Sequence, residues 1–147
     1  MSIEIIKLPY ERYAEATALI WEVFLEFEVP DFPENGVLEY KRILDTATDD
    51  KSIVFYTAME ENCVVGVLGM RENNHIGYFY VKASHHKRGI GRALFNEMLK
   101  DYTGSITVNA CPYGVAVYKR LGFIPTDTQQ NKNGIIYTPM RLVRGQK

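Results

Sequence analysis

The sequence predicts a mixed α/β fold, a central sheet flanked by helices. Three observations point there. Strand-like and helix-like segments alternate along the 147 residues. Two strand-like runs, Ser52 to Met59 and Cys63 to Met70, are joined by the turn Glu60-Glu61-Asn62, which predicts a hairpin. A further run, His75 to Val81, passes through a glycine-bearing turn into an amphipathic helix.

Taken in order, Ser2 to Leu8 reads as a strand. Pro9 then opens a helix to about Glu28, with Tyr13, Ala16, Ile20, Val23, Phe24 and Phe27 at helical spacing. Pro30 and Pro33 break it, since proline has no N–H to give the helix ladder. A second helix is expected from about Gly36 to Ala47. After the hairpin, Asn73-Asn74 is the turn before His75 to Val81. The next helix continues to about Tyr102, with Leu94, Phe95, Met98, Leu99 and Tyr102 facing inward. Ile106 to Ala110 is a short strand, Cys111-Pro112 a turn, and the following short helix carries Tyr118. Pro112 suits a first helical turn, and Gly122 suits the left-handed position just past a helix end. A strand near Phe123 and a last strand from Ile135 to Leu142 complete the chain. Pro139 cannot donate to a ladder, so it is expected at an edge or a bulge. Pro125 to Gly134, rich in Thr, Gln and Asn, reads as a loop.

Length and composition narrow the function classes. Residues 1–147 are expected to form one domain with a real core. The chain is 46% hydrophobic and 24% charged, as in ordinary soluble proteins. A formal net charge of −1 favours neither nucleic acid nor an anionic membrane surface as a partner. No apolar run reaches transmembrane length, and MSIEIIKLPY lacks the pattern of a signal peptide. Two cysteines, Cys63 and Cys111, make no disulfide framework, so a reduced, cytoplasmic setting is expected. Cys63 alternates with apolar residues and is expected in the core.

The stretch His85 to Leu94, HHKRGIGRAL, carries the chemistry. A helix start leaves several N–H groups without intrahelical partners, at the positive end of the helix dipole. Gly89 and Gly91 let the backbone turn and approach a ligand closely. Lys87, Arg88 and Arg92 crowd positive charge where a helix N-terminus disfavours it, so an anion rich in phosphate is the expected ligand. No Gly-Lys-Ser/Thr follows, and Leu94 stands where a dinucleotide fingerprint has its third glycine.

His86-Lys87-Arg88-Gly89-Ile90-Gly91, followed later by Tyr118-Lys119-Arg120-Leu121-Gly122-Phe123, resembles the GNAT superfamily of acyl-CoA-dependent N-acyltransferases. That family's phosphate loop is Q/R-x-x-G-x-G/A, and its later helix ends in a tyrosine followed by Gly-Phe. The resemblance covers almost the whole chain. It implies a central mixed sheet with two parallel strands splayed apart to admit pantetheine, here His75 to Val81 and Ile106 to Ala110. It implies acetyl-CoA as co-substrate, no metal, and a small-molecule or peptide amine as acceptor, with a homodimer possible. The alternative is a non-catalytic acyl-CoA-binding or sensory module of the same fold.

The resemblance assigns roles by position. Backbone groups near Phe79 and Val81 would pair with the pantetheine amides. N–H groups from about Arg88 to Arg92, Ile90 among them, would hold the pyrophosphate. His86 departs from the usual Gln or Arg and would add charge near phosphate or remain solvated. Tyr118 would donate a proton to the leaving thiolate. His75 lies eleven residues before His86, the offset of a catalytic glutamate in the histone-acetylating branch. Its ordinary pKa suits a general base near neutral pH, though it also reads as a solvent-facing residue after a turn. Asn109 would bond the pantetheine or fix the strand end. The family's Asn-x-x-Ala falls here on Cys111 and Gly114, which puts the usual Asn contact in doubt. Direct transfer needs no acyl-enzyme, so Cys111 is not expected to act as nucleophile. Outside the motifs, Phe24, Phe27, Phe32 and Tyr40 read as an apolar acceptor wall or as ordinary core. Glu22, Glu26, Glu28, Asp31 and Glu34 read as attractors of a cationic amine or as solvated helix surface. The core and solvated readings are the stronger, so no substrate is named.

Overall fold

The computed structural model describes residues 2–144. Strand β1 is Glu4–Lys7, and helices α1 and α2 are Tyr13–Phe27 and Glu34–Ala47. Strands β2, β3 and β4 are Val54–Glu60, Cys63–Arg71 and His75–Val81. Helix α3 is Ile90–Leu99, β5 is Ile106–Ala110 and α4 is Val115–Arg120. The chain closes with β6 (Ile124–Pro125), β7 (Gln130–Lys132) and β8 (Ile135–Leu142). The sheet runs β1-β2-β3-β4-β5-β8-β6, with β7 also paired to β8. Every neighbouring pair is antiparallel except β4 and β5.

Local chemistry explains the turns. Glu61 and Asn62 have φ of 51° and 64°, and Asn73 and Asn74 have φ of 63° and 57°. Left-handed backbone at both central positions of the two-residue Glu61-Asn62 turn matches the right-handed strand twist, and the three-residue link from Glu72 to Asn74 turns through its two left-handed asparagines. Asparagine tolerates that conformation better than most residues. Asn74 also reaches across to β5. Its side-chain amide donates to the carbonyls of Thr103 and Ser105, at 2.6 Å and 3.2 Å. Those bonds tie the start of β4 to the start of β5.

Both faces of the sheet are covered. Leu94, Phe95 and Met98 of α3 pack with Tyr56, Leu68 and Ile106 on one face. Ile20, Val23 and Phe24 of α1 pack with Leu44, Phe55 and Tyr78 on the other. Two-sided burial is why β2 and β3 read as nearly continuous apolar runs. Among the described residues, no helix is long and apolar enough to cross a membrane.

Three details differ from the sequence reading. Cys63 is exposed, not core, because it opens β3 at the hairpin end, beyond the covered part of the sheet. The segment read as a loop contains β7, which forms a hairpin with β8 through Asn133 and Gly134. Pro139 is not on an edge strand, since β8 lies between β5 and β6. Along that side of β8, β6 pairs with Met140 and Arg141 while β7 pairs with Ile135 to Tyr137. Pro139 falls in the gap between them, and its carbonyl accepts the Thr126 N–H at 2.9 Å.

Candidate functional site

β4 and β5 pair only at His75–Thr107 and Ile76–Val108. Past that base the strands part, and a cavity of about 440 Å³ lies in the fork. Its wall includes Gly89, Gly91 and Tyr118 from the α3 side and Phe27, Glu28 and Tyr40 from the α1/α2 side. The cavity therefore joins the two faces of the sheet.

The phase of the β3–β4 ladder decides what β4 offers to the fork. The Lys82 N–H donates to the Val65 carbonyl at 2.9 Å. Alternation then turns the peptide groups of Tyr80 and Lys82 toward β3, and those of Phe79 and Val81 toward the cavity. Phe79 and Val81 thus turn main-chain donors and acceptors toward the cavity wall, where a ligand amide would meet them, although the Val81 carbonyl already accepts from His86.

At the mouth, Gly89 has φ 79° and caps α3 in the left-handed conformation. The first intrahelical bond runs from the Ala93 N–H to the Gly89 carbonyl, 3.0 Å. The N–H groups of Ile90, Gly91 and Arg92 precede it and have no helical partner. Gly89, Ile90 and Gly91 all border the cavity. An added Cβ at Gly91 would lie 3.7 Å from Phe79 and 3.9 Å from Val81, on the ligand side of the helix. This cradle fits a pyrophosphate: main-chain donors, a helix dipole and no side chain in the way.

The basic side chains do not all join it. Lys87 borders the cavity, while Arg88 and Arg92 are exposed and lie outside its wall. Arg88 faces Glu60 at 3.4 Å. His85, which the motif reading left without a role, also borders the cavity and bonds Glu60 through Nε2 at 2.7 Å. The His85 bond holds the Glu60 carboxyl below its ordinary pKa. Glu60 thereby ties the glycine loop to the end of β2. His86 turns its Nε2 to the Val81 carbonyl, 2.8 Å away, and its ring lies against Phe27.

Tyr118 is buried in the wall, its ring against Phe123 (5.4 Å) and Phe79 (6.0 Å). The turn Pro112–Gly114 and α4 carry it there, and Gly122 (φ 104°) ends the helix so that the Phe123 N–H reaches the Tyr118 carbonyl. Burial raises its phenol well above the ordinary pKa, with Cys111 and Glu28 adding to it. Asn109 borders the cavity at the open end of β5.

The structure does not bring His75 to this cavity. His75 stands at the closed base of the fork, where Nδ1 meets the Thr107 hydroxyl at 2.8 Å. It borders a separate polar recess with Ser52, Arg71 and Glu72. Burial, then Arg71, holds its pKa below 6.5. The offset from the glycine loop leads to β4, but to its paired base and not to the open end of the fork.

A different carboxyl occupies the cavity. Glu28 ends α1, is 6% exposed, and accepts the Tyr80 hydroxyl at 3.1 Å. Tyr80 in turn meets the Tyr40 hydroxyl at 2.7 Å. Burial pushes Glu28 up to about 7, against the lowering effect of bonds from Cys111 and Tyr80. Burial, then the Glu28 carboxyl, pushes the Cys111 thiol up, away from the thiolate form that a nucleophile needs. The signal for Glu28 was present in the helix stripe. Ile20, Phe24 and Glu28 are spaced by four, which puts a carboxyl at the next core position.

Among the described residues, no group of three His, Cys, Asp or Glu side chains is placed to hold a metal ion. The chain matches the family model for the acetyltransferase (GNAT) domain over residues 28–144. No curated protein matches it in sequence. Similar solved structures include a GCN5-related N-acetyltransferase from Rhodopseudomonas palustris, at 17% identity and TM-score 0.77, covering 98% of this chain and 97% of that one. PaiA N-acetyltransferase from Thermoplasma acidophilum, solved with coenzyme A, shares 19% identity at TM-score 0.73, covering 98% and 100%. Apo YjaB from Escherichia coli shares 19% identity at TM-score 0.75, covering 97% of each chain.

Proposed function

The chain belongs to the GNAT acetyltransferase family, and from that premise we propose that it moves an acetyl group from acetyl-CoA directly onto a primary amine of a small molecule or peptide. The observation that carries this reading is the cavity through the fork. A pyrophosphate cradle on one face and a buried carboxyl on the other share one continuous space. That is the geometry a transfer between two bound partners requires.

Acetyl-CoA supplies a thioester carbonyl open to attack and a thiolate that can leave. The N–H groups of Ile90, Gly91 and Arg92 hold its pyrophosphate, and the peptide groups of Phe79 and Val81 hold its pantetheine. Tyr118 holds its proton firmly in the ground state and gives it to sulfur as the C–S bond breaks. Direct transfer needs no acyl carrier, and the raised pKa of the Cys111 thiol accords with that.

Release of free CoA in the presence of a panel of primary amines tests the proposal. Amine-dependent release above the rate of thioester hydrolysis supports it. Acetyl-CoA binding with no amine-dependent release would favour a non-catalytic acyl-CoA-binding module.

A further inference from the structure

We propose that Glu28 receives the acceptor ammonium and takes its proton, and that the acceptor is a monoamine on an apolar, ring-sized body. This rests on the acetyltransferase reading above and names the acceptor side of the same site. Four observations converge. Glu28 is almost fully buried yet borders the cavity. Among the described residues, no Lys, Arg or His forms an ion pair with it. A buried carboxylate without a cation is costly, so the site is complete only when a ligand brings one. Beyond the Tyr80 hydroxyl and Cys111, the α1 side of the space is apolar, with Val23, Phe27 and Phe32 on its wall.

The aromatic order of that wall supports a flat body. Phe27 stacks on Tyr113 at 5.1 Å. Tyr40 stacks on Phe24 at 4.1 Å, which fixes its hydroxyl against Tyr80. One carboxyl in an apolar wall selects one positive charge. A polyamine would have to strip its remaining ammonium groups of water without partners.

The ionised Glu28 carboxylate accepts one proton from R–NH₃⁺, leaving R–NH₂ with a free lone pair. That pair forms the N–C bond to the acetyl carbonyl carbon, and the C–S bond electrons leave on sulfur. Tyr118 protonates the thiolate, and the second proton lost by nitrogen restores Tyr118. The products are the N-acetylamine and CoA thiol, and the proton on Glu28 returns to solvent.

The groups facing Glu28 are Tyr80 on β4, Cys111 after β5, Tyr118 on α4, and Tyr40 on α2 through Tyr80. Asp31, in the turn after α1, also raises it. With Glu28 near 7, kcat/KM should climb with pH through about that value. Tyr80→Phe removes a bond that stabilises the ionised carboxylate, so the midpoint should move upward.

The test compares wild type, Glu28→Gln and Tyr80→Phe on phenethylamine, its alcohol analogue and spermidine, with acetyl-CoA affinity measured by calorimetry. Wild type should prefer phenethylamine. Glu28→Gln should keep its acetyl-CoA affinity, lose about 10²–10⁴-fold in kcat and lose the ionisation. Tyr80→Phe should turn over with a raised midpoint, so its kcat/KM falls near pH 7 and recovers as pH rises. Wild-type kcat and pH profile in Glu28→Gln would overturn the role of Glu28 while leaving the acetyltransferase reading intact. Preference for spermidine would overturn the monoamine assignment. Wild type that binds acetyl-CoA and acetylates neither amine would overturn the monoamine assignment, and no release with any primary amine, peptides included, would remove the acetyltransferase reading as well.

Discussion

The Nε2 of His86 sits 2.8 Å from the main-chain carbonyl of Val81. A carbonyl only accepts, so this nitrogen carries the proton. The carbonyl belongs to the set that β4 turns toward the fork, where a pantetheine amide would compete for it. His86→Ala frees that acceptor. Net worth of one such bond is about 0.5–1.5 kcal/mol, so acetyl-CoA should bind up to about tenfold more tightly. Calorimetry decides the sign. Weaker binding would mean that the imidazole serves the ligand instead, as the phosphate-loop position suggested.

Gly91→Ala should separate folding from binding. The added Cβ meets Phe79 and Val81 only at ordinary contact distance, and alanine is the better helix former. Thermal stability should hold or rise slightly. The methyl nonetheless projects into the space a pyrophosphate would use, loosening charge-assisted bonds worth about 1.5–3 kcal/mol each. Acetyl-CoA affinity should fall tenfold or more, ~1.4 kcal/mol, and Gly91→Val should weaken it further. Undiminished affinity in both variants would remove the loop from the binding site.

Tyr118→Phe keeps the ring contacts with Phe79 and Phe123 and deletes only the proton donor. Acetyl-CoA affinity should not change. Turnover should drop by about 10²–10⁴-fold where chemistry limits the rate. A better leaving group needs less help, so an acyl donor with a more acidic thiol should narrow the difference between mutant and wild type. Equal turnover on acetyl-CoA would reduce Tyr118 to a packing residue.

Local rules carried most of the fold. The asparagine turns, the α1 stripe, the glycine that caps α3 and Gly122 each act within a few residues, and each was readable from the sequence. β7 was not, because Gln130-Asn131-Lys132 has no apolar alternation to report. Its turn did carry a signal, since Asn133-Gly134 is a strong hairpin dipeptide. Cys63 misled because alternation says which residues share a face but not where cover on that face begins. His75 misled for a related reason. Counting along β4 finds a strand position, but which end of the fork opens is set across the sheet, by Asn74 binding the start of β5. Glu28, Tyr80 and Tyr40 lie on three separate elements, so no single motif could unite them.

Gly36→Ala tests how the β7–β8 hairpin meets α2. A Cβ at Gly36 would lie 1.9 Å from the Gly134 carbonyl oxygen, and that neighbour is backbone. The two segments must separate. Overpacking of this kind costs about 1–3 kcal/mol, which urea unfolding would detect. Ile135, Ile136 and Tyr137 follow the hairpin tip and border the cavity. KM for the amine should therefore rise while acetyl-CoA affinity stays within about twofold, less than ~0.5 kcal/mol. Unaltered stability would show that the contact yields without strain.

Glu28 and His75 should impose opposite pH dependence on stability. Glu28 has a folded pKa of about 7 against an ordinary 4.5. Between those values the folded state binds more protons, so stability present in acid is lost as pH rises through about 7. His75 is held below its ordinary 6.5 by burial and Arg71. There the unfolded state binds more protons, so its contribution is present above 6.5 and lost as pH falls through the folded value. Glu28→Gln keeps an acceptor for the Tyr80 hydroxyl but never ionises. It should be more stable than wild type near about pH 8, by at most about 3 kcal/mol, and gain little near about pH 4.5. His75→Gln should do the reverse, flattening the acid side alone. Urea unfolding of the three proteins across that range gives both curves. A Glu28→Gln advantage that does not grow with pH would mean the carboxyl is already neutral, or already solvated, in the folded protein.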